Sequence, residues 1–329
     1  MAETLSVARR TKNMVHVPAG TFLMGSEDFY PEERPVRSVE VNGFWIDEHP
    51  VTVAEFRRFV KQTGYVTVAE RPPDPAKYPD ADPDLLVPGS LVFYPTSGPV
   101  DLRDVSQWWR YTPGANWRHP RGPGSTTDGL DRHPVTHVAA EDADAYASWA
   151  GKALPTEAEW EFAARAGLES AVFTWGDDMY PRGKVMANTW QGEFPWQNLK
   201  SPHKRGTSPV RSFPPNGFGL YDMAGNVWEW TSDFFAAQPV HQGCCVPPDA
   251  RVAAAAASMV HDPPGGRIPR RVIKGGSHLC APNYCLRYRP AARQAEDVDT
   301  STQHIGFRCI LRAASCERGS TFRPTCAAG

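Results

Sequence analysis

Two cysteines five residues apart, Cys280 and Cys285, are the residues of this chain whose type and spacing best suit chemistry. A Gly-Gly-Ser sequence ending at Ser277 precedes them, and arginine and tyrosine alternate after them from Arg287 to Arg289. Two thiolates held this close suit a soft metal ion of low coordination number such as Cu(I), or a redox-active dithiol. The flanking cations favour the deprotonated form of the sulfurs. The pattern therefore indicates a Cu(I) site or a dithiol.

The composition excludes several classes of function. A formal net charge of -2 over 329 residues gives no electrostatic reason to bind nucleic acid or an anionic membrane. No run approaches the roughly 20 apolar residues that span a bilayer. Residues 1–13 are polar and lack the apolar centre of a signal peptide. Seven cysteines, an odd number, argue against a complete disulfide framework and for a reducing compartment. We expect a cytoplasmic monomer.

The elements that must position the cysteines are short. The chain has 32 prolines, 27 glycines and 11 tryptophans, which favours loops over a core of aromatic rings. Alternating or continuous apolar residues predict strands in four places: two strands within 14–25, one over 36–41, one over 44–47 and a core strand over 304–310.

Capping patterns predict three helices. Thr52 and Glu55 have the spacing of a capping box, and Gly64 ends the helix that follows. Thr156 and Glu159 repeat the pattern before a helix that Gly167 closes. A further helix is predicted over 139–150, with a glycine as its stop.

Three regions are predicted to lack regular structure. Residues 71–134 and 238–271 are rich in Pro, Gly and small residues, the second being a flexible insertion. The chain divides into a flexible N-terminus over 1–13, one domain over 14–312 and a disordered tail over 313–329. Four cysteines in the insertion and the tail have no metal-ligand pattern around them, and Cys309 is expected in the core; the four are Cys244, Cys245, Cys316 and Cys326.

The block 274–293, which contains both cysteines, resembles the active-site segment of the formylglycine-generating enzymes. Further blocks resemble the sulfatase-modifying factor family as a whole, in one colinear order over about 14–312. These blocks are 18–25, 133–135, 154–165, 188–192, 216–230 and 306–309. The shared blocks identify the fold, whereas the cysteine pair identifies the chemistry, because relatives without catalysis lack that pair.

The resemblance implies one α+β domain with a C-type-lectin-like core, low regular secondary structure, short antiparallel strands and a few helices. It implies a copper-dependent oxidase that uses O2 and an external thiol reductant. The substrate would be the cysteine of a Cys-x-Pro-x-Arg motif in an unfolded or nascent sulfatase, and the product would be Cα-formylglycine. Calcium would be bound in loops.

The resemblance also assigns roles to residues of this chain. Cys280 and Cys285 would be the two thiolate ligands of Cu(I), leaving a position open for the substrate thiolate. Ser277 would form hydrogen bonds near the substrate sulfur or the oxygen site. Tyr284 and Trp228 would form an aromatic wall that excludes water and orients the substrate thiol.

Three further residues are expected to bind substrate. Arg287 and Arg289 lie on the same face as Cys285 if this segment is extended, because side chains of a strand alternate with period two. An alternative role for both arginines is to support the thiolates or to anchor backbone carbonyls. His304 stands where many members of the family have an asparagine.

The resemblance implies two calcium sites. One combines carboxylates and backbone carbonyls, the oxygen donors that calcium prefers, and is matched by Asp222, Gly225, Val227 and Glu229. Asn188 and Thr189 match part of the second. Pro202 stands where the family commonly has an aspartate ligand, and proline cannot replace a carboxylate. We expect the first site, while the second lacks a ligand.

Two other functions remain open. A calcium-stabilised C-type-lectin-like binding module would leave Cys280 and Cys285 inert or joined as a disulfide. A C–S bond-forming oxidase would act on a small thiol, although the relatives of that type carry an additional iron-binding helical domain. Stoichiometric Cu(I) binding argues against the module, and turnover of a Cys-x-Pro-x-Arg peptide distinguishes the two enzymes.

Overall fold

The structure is a computed structural model that describes residues 11–236, 250–259 and 268–312. The tail predicted over 313–329 lies outside these residues, as do most of the predicted N-terminal segment and part of the predicted insertion. The predictions for four cysteines also lie outside the described residues: Cys244, Cys245, Cys316 and Cys326.

Short strands and a few helices form the described part of the chain. The strands are β1 (Met14–Val17), β2 (Gly20–Met24), β3 (Arg37–Val41), β4 (Phe44–Asp47), β5 (Gly89–Phe93), β6 (Trp109–Pro113), β7 (Trp228–Phe234), β8 (Arg270–Lys274), β9 (Arg293–Asp297), β10 (Ile305–Gly306) and β11 (Ile310–Arg312). The α-helices are α1 (Val53–Thr63), α2 (Ala140–Trp149), α3 (Glu157–Arg165) and α4 (Ala250–Ser258). Single 3₁₀ turns occupy Pro31–Glu33, Val68–Glu70, Pro83–Leu85, Val105–Gln107, Pro181–Gly183 and Pro202–Lys204.

The strands form small sheets. β4 lies between β1 and β11 in an antiparallel three-stranded sheet, with Met14 opposite Asp47 and Ile310 opposite Ile46. A four-stranded sheet has the order β10-β7-β8-β9, in which only the β10–β7 pair is parallel. β2 pairs with β3, and β5 pairs with β6. The cysteines lie between β8 and β9, so the four-stranded sheet positions their loop.

The capping boxes predicted from sequence are confirmed. The Thr52 hydroxyl accepts a hydrogen bond from the Glu55 amide at the start of α1, and Gly64 ends the helix with a φ of 70°. Thr156 caps α3 in the same way. The first residue after α3 in the left-handed region is Ala166, with a φ of 49°, one position before the predicted Gly167.

Three predictions about loops and strands are wrong. The predicted loop 71–134 contains β5 and β6, which pair over their whole length. The predicted insertion contains α4 and the first two residues of β8 in its described part. The predicted single strand over 304–310 is two strands, β10 and β11, in different sheets, separated by buried residues that include Phe307 and Cys309. Hydrophobic patterns alone cannot show that the chain crosses from one sheet to another.

The core has one large aromatic cluster and two smaller ones. The large cluster includes Trp228, Trp230 and Phe307, and both Cys280 and Cys285 belong to it. A second cluster joins α3 to the three-stranded sheet. A third contains Trp108, Trp190 and Phe194 and reaches the cysteine loop. Among the described residues, no helix has the length and apolar character needed to cross a membrane.

Candidate active site

Cys280 and Cys285 face each other in the loop that joins β8 to β9. Their sulfurs are 2.8 Å apart, both side chains are buried, and both thiols are free. A disulfide bond would place the sulfurs about 2.05 Å apart. The Cys285 amide donates to the Ala281 carbonyl at 2.7 Å, which turns the chain back on itself and brings the sulfurs together. The extended conformation considered for this segment is not found, because residues 275–292 contain no strand.

Two glycines lead into this loop because no side chain fits there. Gly276 has a φ of 68°, and a Cβ atom on it would lie 2.9 Å from main-chain atoms of Tyr288. Gly275 has a φ of 93°, and its Cβ would lie 3.0 Å from the Trp160 ring. The Gly-Gly pair lets the main chain turn tightly against the segment that follows the cysteines.

The pKa values of the two thiols are shifted in opposite directions. The pKa of Cys285 is lowered because its sulfur accepts a hydrogen bond from Cys280 and because the guanidinium of Arg287 is close. Burial, followed by the hydrogen bond to Cys285, raises the pKa of Cys280 well above its ordinary value. Cys285 is therefore the favoured thiolate, with the Cys280 thiol donating to it.

Arg287 is held in place by an acidic and aromatic segment near the N-terminus. Its guanidinium lies 3.8 Å from the centre of the Tyr30 ring and pairs with Glu32 at 2.8 Å. The Tyr30 hydroxyl accepts a hydrogen bond from the Leu286 amide at 3.2 Å. The segment 29–33 thus fixes both the main chain and the cation beside Cys285.

Arg289 has a different environment from Arg287. Its side chain is fully buried and forms two hydrogen bonds with Glu33, at 3.0 and 2.5 Å. The Phe29 ring centre lies 3.6 Å from its guanidinium carbon. Glu33 and the Leu286 carbonyl already engage its guanidinium, which supports a structural role for Arg289 rather than binding of substrate.

Ser277 and Tyr284 lie beside the thiols. The Ser277 amide points to the Cys280 sulfur at 3.4 Å, and its hydroxyl accepts a hydrogen bond from the Leu279 amide at 3.2 Å. The Tyr284 ring packs against the large core cluster that contains both cysteines and Trp228. Burial raises the pKa of Tyr284 to about 12, and the neighbouring cysteines contribute to the rise. Tyr284 therefore stays protonated near neutral pH.

Three aromatic residues at the site were not assigned a role from sequence. Tyr284 is stacked on Phe194, with ring centres 4.5 Å apart, and meets Trp108 edge-on at 5.4 Å. The Trp190 amide donates to the Cys280 carbonyl at 2.9 Å. The only sequence signals were the Trp108-Trp109 pair in a predicted loop and the block that contains Trp190.

Two of the residues expected at the first calcium site, Asp222 and Glu229, meet the buried side chain of Arg308. Both oxygens of Glu229 accept hydrogen bonds from Arg308, and one also accepts from the Trp160 indole at 2.7 Å. Asp222 is buried nearby, and burial raises its pKa against the opposing effects of the Arg211 amide and the Arg308 charge. The two carboxylates face one guanidinium, so a calcium ion bound here would share Glu229 with Arg308.

The residues expected at the second calcium site meet a lysine. The Asn188 side-chain oxygen accepts a hydrogen bond from the Lys200 ammonium. The Thr189 hydroxyl accepts one from Gln191 at 3.1 Å, and Pro202 begins a 3₁₀ turn. These residues do not fit a calcium site, because a cation already faces the amide oxygen and the carboxylate is missing. Within the described ranges, no group of three or more His, Cys, Asp or Glu is arranged to hold a metal.

Comparison with known proteins identifies the family. The model of the Sulfatase-modifying factor enzyme 1-like domain matches residues 2–313. The chain belongs to the sulfatase-modifying factor family. A relative from Mycobacterium tuberculosis named formylglycine-generating enzyme is 54% identical over 92% of this chain and 98% of its own length.

A second relative and one solved structure are also similar to this chain. A Mus musculus relative named inactive C-alpha-formylglycine-generating enzyme 2 is 38% identical over 91% of this chain and 86% of its own length. The structure of PvdO from Pseudomonas aeruginosa has a TM-score of 0.58 and 26% identity, covering 91% of this chain and 94% of that one. The predicted α+β domain with a C-type-lectin-like core, few helices and short strands is confirmed.

His304 directly precedes β10. Its ring packs on Trp109 with centres 4.8 Å apart, and its Nδ1 is hydrogen-bonded to the Thr302 hydroxyl at 2.5 Å. The His304 carbonyl accepts a hydrogen bond from the Trp228 amide at 2.9 Å. Burial lowers the pKa of His304 well below its ordinary value, so the ring is neutral near neutral pH. None of the described hydrogen bonds or ring contacts joins it to Cys280 or Cys285.

Proposed function

We propose that this chain oxidises the cysteine of a Cys-x-Pro-x-Arg motif in an unfolded or nascent sulfatase to Cα-formylglycine, in a reaction that requires copper and O2. One observation carries the proposal: two free, buried thiols lie 2.8 Å apart in a loop shaped to hold them. The 54% identity to a bacterial formylglycine-generating enzyme supports it. The free thiols favour a reducing compartment, and we propose the cytoplasm.

The donor set at this site fits Cu(I). Cys280 and Cys285 supply two soft sulfur ligands, and Cu(I) is stable at the low coordination number that two ligands give. The lowered pKa of Cys285 means that one of the sulfurs is favoured as a thiolate before any metal arrives. With only two protein ligands, a position stays open for the sulfur of the substrate.

The overall reaction balances with a thiol as reductant. The substrate group CH2–SH, one O2 and two thiols become an aldehyde, hydrogen sulfide, water and a disulfide. The carbon loses one C–S bond and one C–H bond and gains the C=O bond. Bound copper would supply the redox chemistry that brings O2 to react with the substrate thiol.

The side chains around the thiols hold the reactants and exclude water. Arg287, fixed by Tyr30 and Glu32, keeps a positive charge beside Cys285. Tyr284 and the buried Trp228 provide apolar surface against which a substrate thiol can be oriented. Fixed orientation of reacting groups can supply several kcal/mol of a reaction barrier. The Ser277 hydroxyl, which accepts a hydrogen bond from the Leu279 amide, would donate its own hydrogen bond toward the substrate sulfur or the oxygen site.

Calcium has a structural role in this proposal. Asp222 and Glu229, with the carbonyls of Gly225 and Val227, form the oxygen-rich set at which one ion would bind. The ion would share Glu229 with Arg308. It would tie residues 222–227 to Glu229 at the start of β7, next to Trp228.

The test is mass spectrometry of a peptide that contains Cys-x-Pro-x-Arg, incubated with Cu(I)-loaded protein, oxygen and a thiol reductant. We expect the mass loss that replaces CH2–SH by CHO at the peptide cysteine. Cys280→Ser and Cys285→Ser should each abolish it. Cys309→Ala is the matched control, because Cys309 is also a free, fully buried thiol but lies outside the loop.

The alternatives give different results in the same experiment. An unchanged peptide with stoichiometric Cu(I) bound would reject this substrate and direct the search to small thiols. An unchanged peptide without Cu(I) binding would favour a binding module. Loss of the product in Cys309→Ala as well, with the protein folded, would contradict the assignment of the two cysteines.

A further inference from the structure

Lys200 directs its ammonium group at the side-chain oxygen of Asn188. The nitrogen of the same amide donates to the Gly206 carbonyl at 2.9 Å and to the Ser208 hydroxyl at 3.2 Å. These bonds fix the orientation of the amide, so that its oxygen can only face the lysine. Lys200 therefore links Asn188, at the start of the segment 188–208, to the middle of the same segment.

The ammonium of Lys200 meets a neutral amide oxygen rather than a carboxylate. None of the salt bridges in the described part of the chain includes Lys200, and its hydrogen-bond partner is a neutral amide oxygen. Amide and carbonyl oxygens around a positive charge are the ligands of calcium in protein loops.

We propose that Lys200 is a built-in cation that takes the place of the second calcium ion of the family, so that this segment is held without metal. Two features act together. Pro202 stands where a divalent ion would need a carboxylate, and Lys200 supplies one positive charge to the oxygen of Asn188. The oxygen that faces the ammonium is neutral, so a hydrogen bond rather than a carboxylate holds the charge.

The effect of Lys200 extends to the cysteine loop through backbone hydrogen bonds. The Asn188 carbonyl accepts from the Asn226 amide at 2.8 Å. The Asn226 carbonyl in turn accepts from the His278 amide at 3.0 Å and contacts the His278 ring nitrogen at 2.9 Å. His278 is two residues from Cys280. Loss of the ammonium would therefore loosen the support of the cysteine loop.

The first experiment counts calcium ions on the full chain by isothermal titration calorimetry after chelator treatment. The wild type should bind at most one calcium per chain, at the site of Asp222 and Glu229. In the variant Lys200→Gly/Pro202→Asp, which removes the ammonium and restores a carboxylate, we expect one additional calcium per chain. A second calcium on the wild type, or no gain in the double variant when it is folded, would overturn the proposal.

The second experiment measures thermal unfolding without calcium. Lys200→Met keeps the length of the side chain and removes its charge, and should lower Tm by at least about 2 °C. Lys204→Met is the matched control, because Lys204 is an exposed lysine four residues further along the same loop. Equal Tm values for the two variants would refute a cation role for Lys200. Neither experiment uses turnover, so each result is independent of the proposed oxidase activity.

Discussion

The ion pair of Arg289 and Glu33 should be among the most sensitive contacts of the candidate site. The side chains are 1% and 0% exposed, and the pair has no other charged partner among the described salt bridges. Removing one member of a buried pair leaves an uncompensated charge in the interior, at a cost of about 3–5 kcal/mol. Glu33→Gln should therefore lower the free energy of unfolding by this amount.

The loss of unfolding free energy in Glu33→Gln should lie toward the lower end of that range. Glutamine keeps the size of the side chain, and its amide oxygen can still accept from the guanidinium. The Phe29 ring, 3.6 Å from the guanidinium carbon, also continues to stabilise the cation. What is lost is the negative charge and one of the two hydrogen bonds of 3.0 and 2.5 Å.

Urea unfolding measures the effect, and an exposed pair provides the control. Arg57 and Asp131 have the same separation of 2.5 Å, but their side chains are 43% and 59% exposed. Asp131→Asn should therefore change the free energy of unfolding by less than about 1 kcal/mol. If Glu33→Gln is no more destabilising than Asp131→Asn, burial does not make the Arg289–Glu33 pair more important for stability than an exposed pair.

A double variant separates the charge from the packing. If the cost of Glu33→Gln comes from a stranded guanidinium, Arg289→Met in the same protein should recover part of the lost stability. Coupling between contacting residues of this kind is measured by a double-mutant cycle. Additive losses would show that the two residues act independently.

Three further outcomes follow from local geometry. Gly276→Ala should cost more stability than Gly64→Ala. Both glycines have positive φ, 68° and 70°, but only at Gly276 would a Cβ atom meet main-chain atoms, at 2.9 Å. Equal losses in thermal unfolding would contradict this. Arg287→Met should raise the pKa of Cys285, because the cation now lowers it, so the thiolate absorbance of metal-free protein should appear at higher pH. An unshifted absorbance titration would remove Arg287 from the site. Thr156→Ala should cost about 1 kcal/mol in urea unfolding through loss of the α3 cap, and no loss would mean that the capping box adds nothing.

Local features of the fold could be predicted from the sequence because their causes are local. Thr52 and Thr156 cap helices through residues three positions away, and the same spacing is visible in the chain. The apolar run at 44–46, followed by Asp47, predicts a buried strand, and β4 is the centre of its sheet. At the site, Cys280 and Cys285 are also brought together by a local turn, because only five positions separate them in the sequence.

Features that depend on distant segments could not be predicted. Whether Arg287 or Arg289 lies beside Cys285 depends on Tyr30 and on Glu33, more than 250 residues away in sequence. β8 begins in the last two residues of the predicted insertion, and it lies in the sheet between β7 and β9.

Buried cations explain how a domain with so many loops can hold a defined site. Loops leave main-chain carbonyls without partners, and a buried carbonyl needs a donor. Arg308 supplies several donors at once: it binds the carbonyls of Asp47, Tyr221 and Asp222 while pairing with Glu229. A guanidinium can do this because its five N–H groups have a fixed geometry. The position of a loop is then set by side chains from other segments. Replacing a single buried cation by a neutral residue should therefore alter the site even where that cation does not contact the thiols.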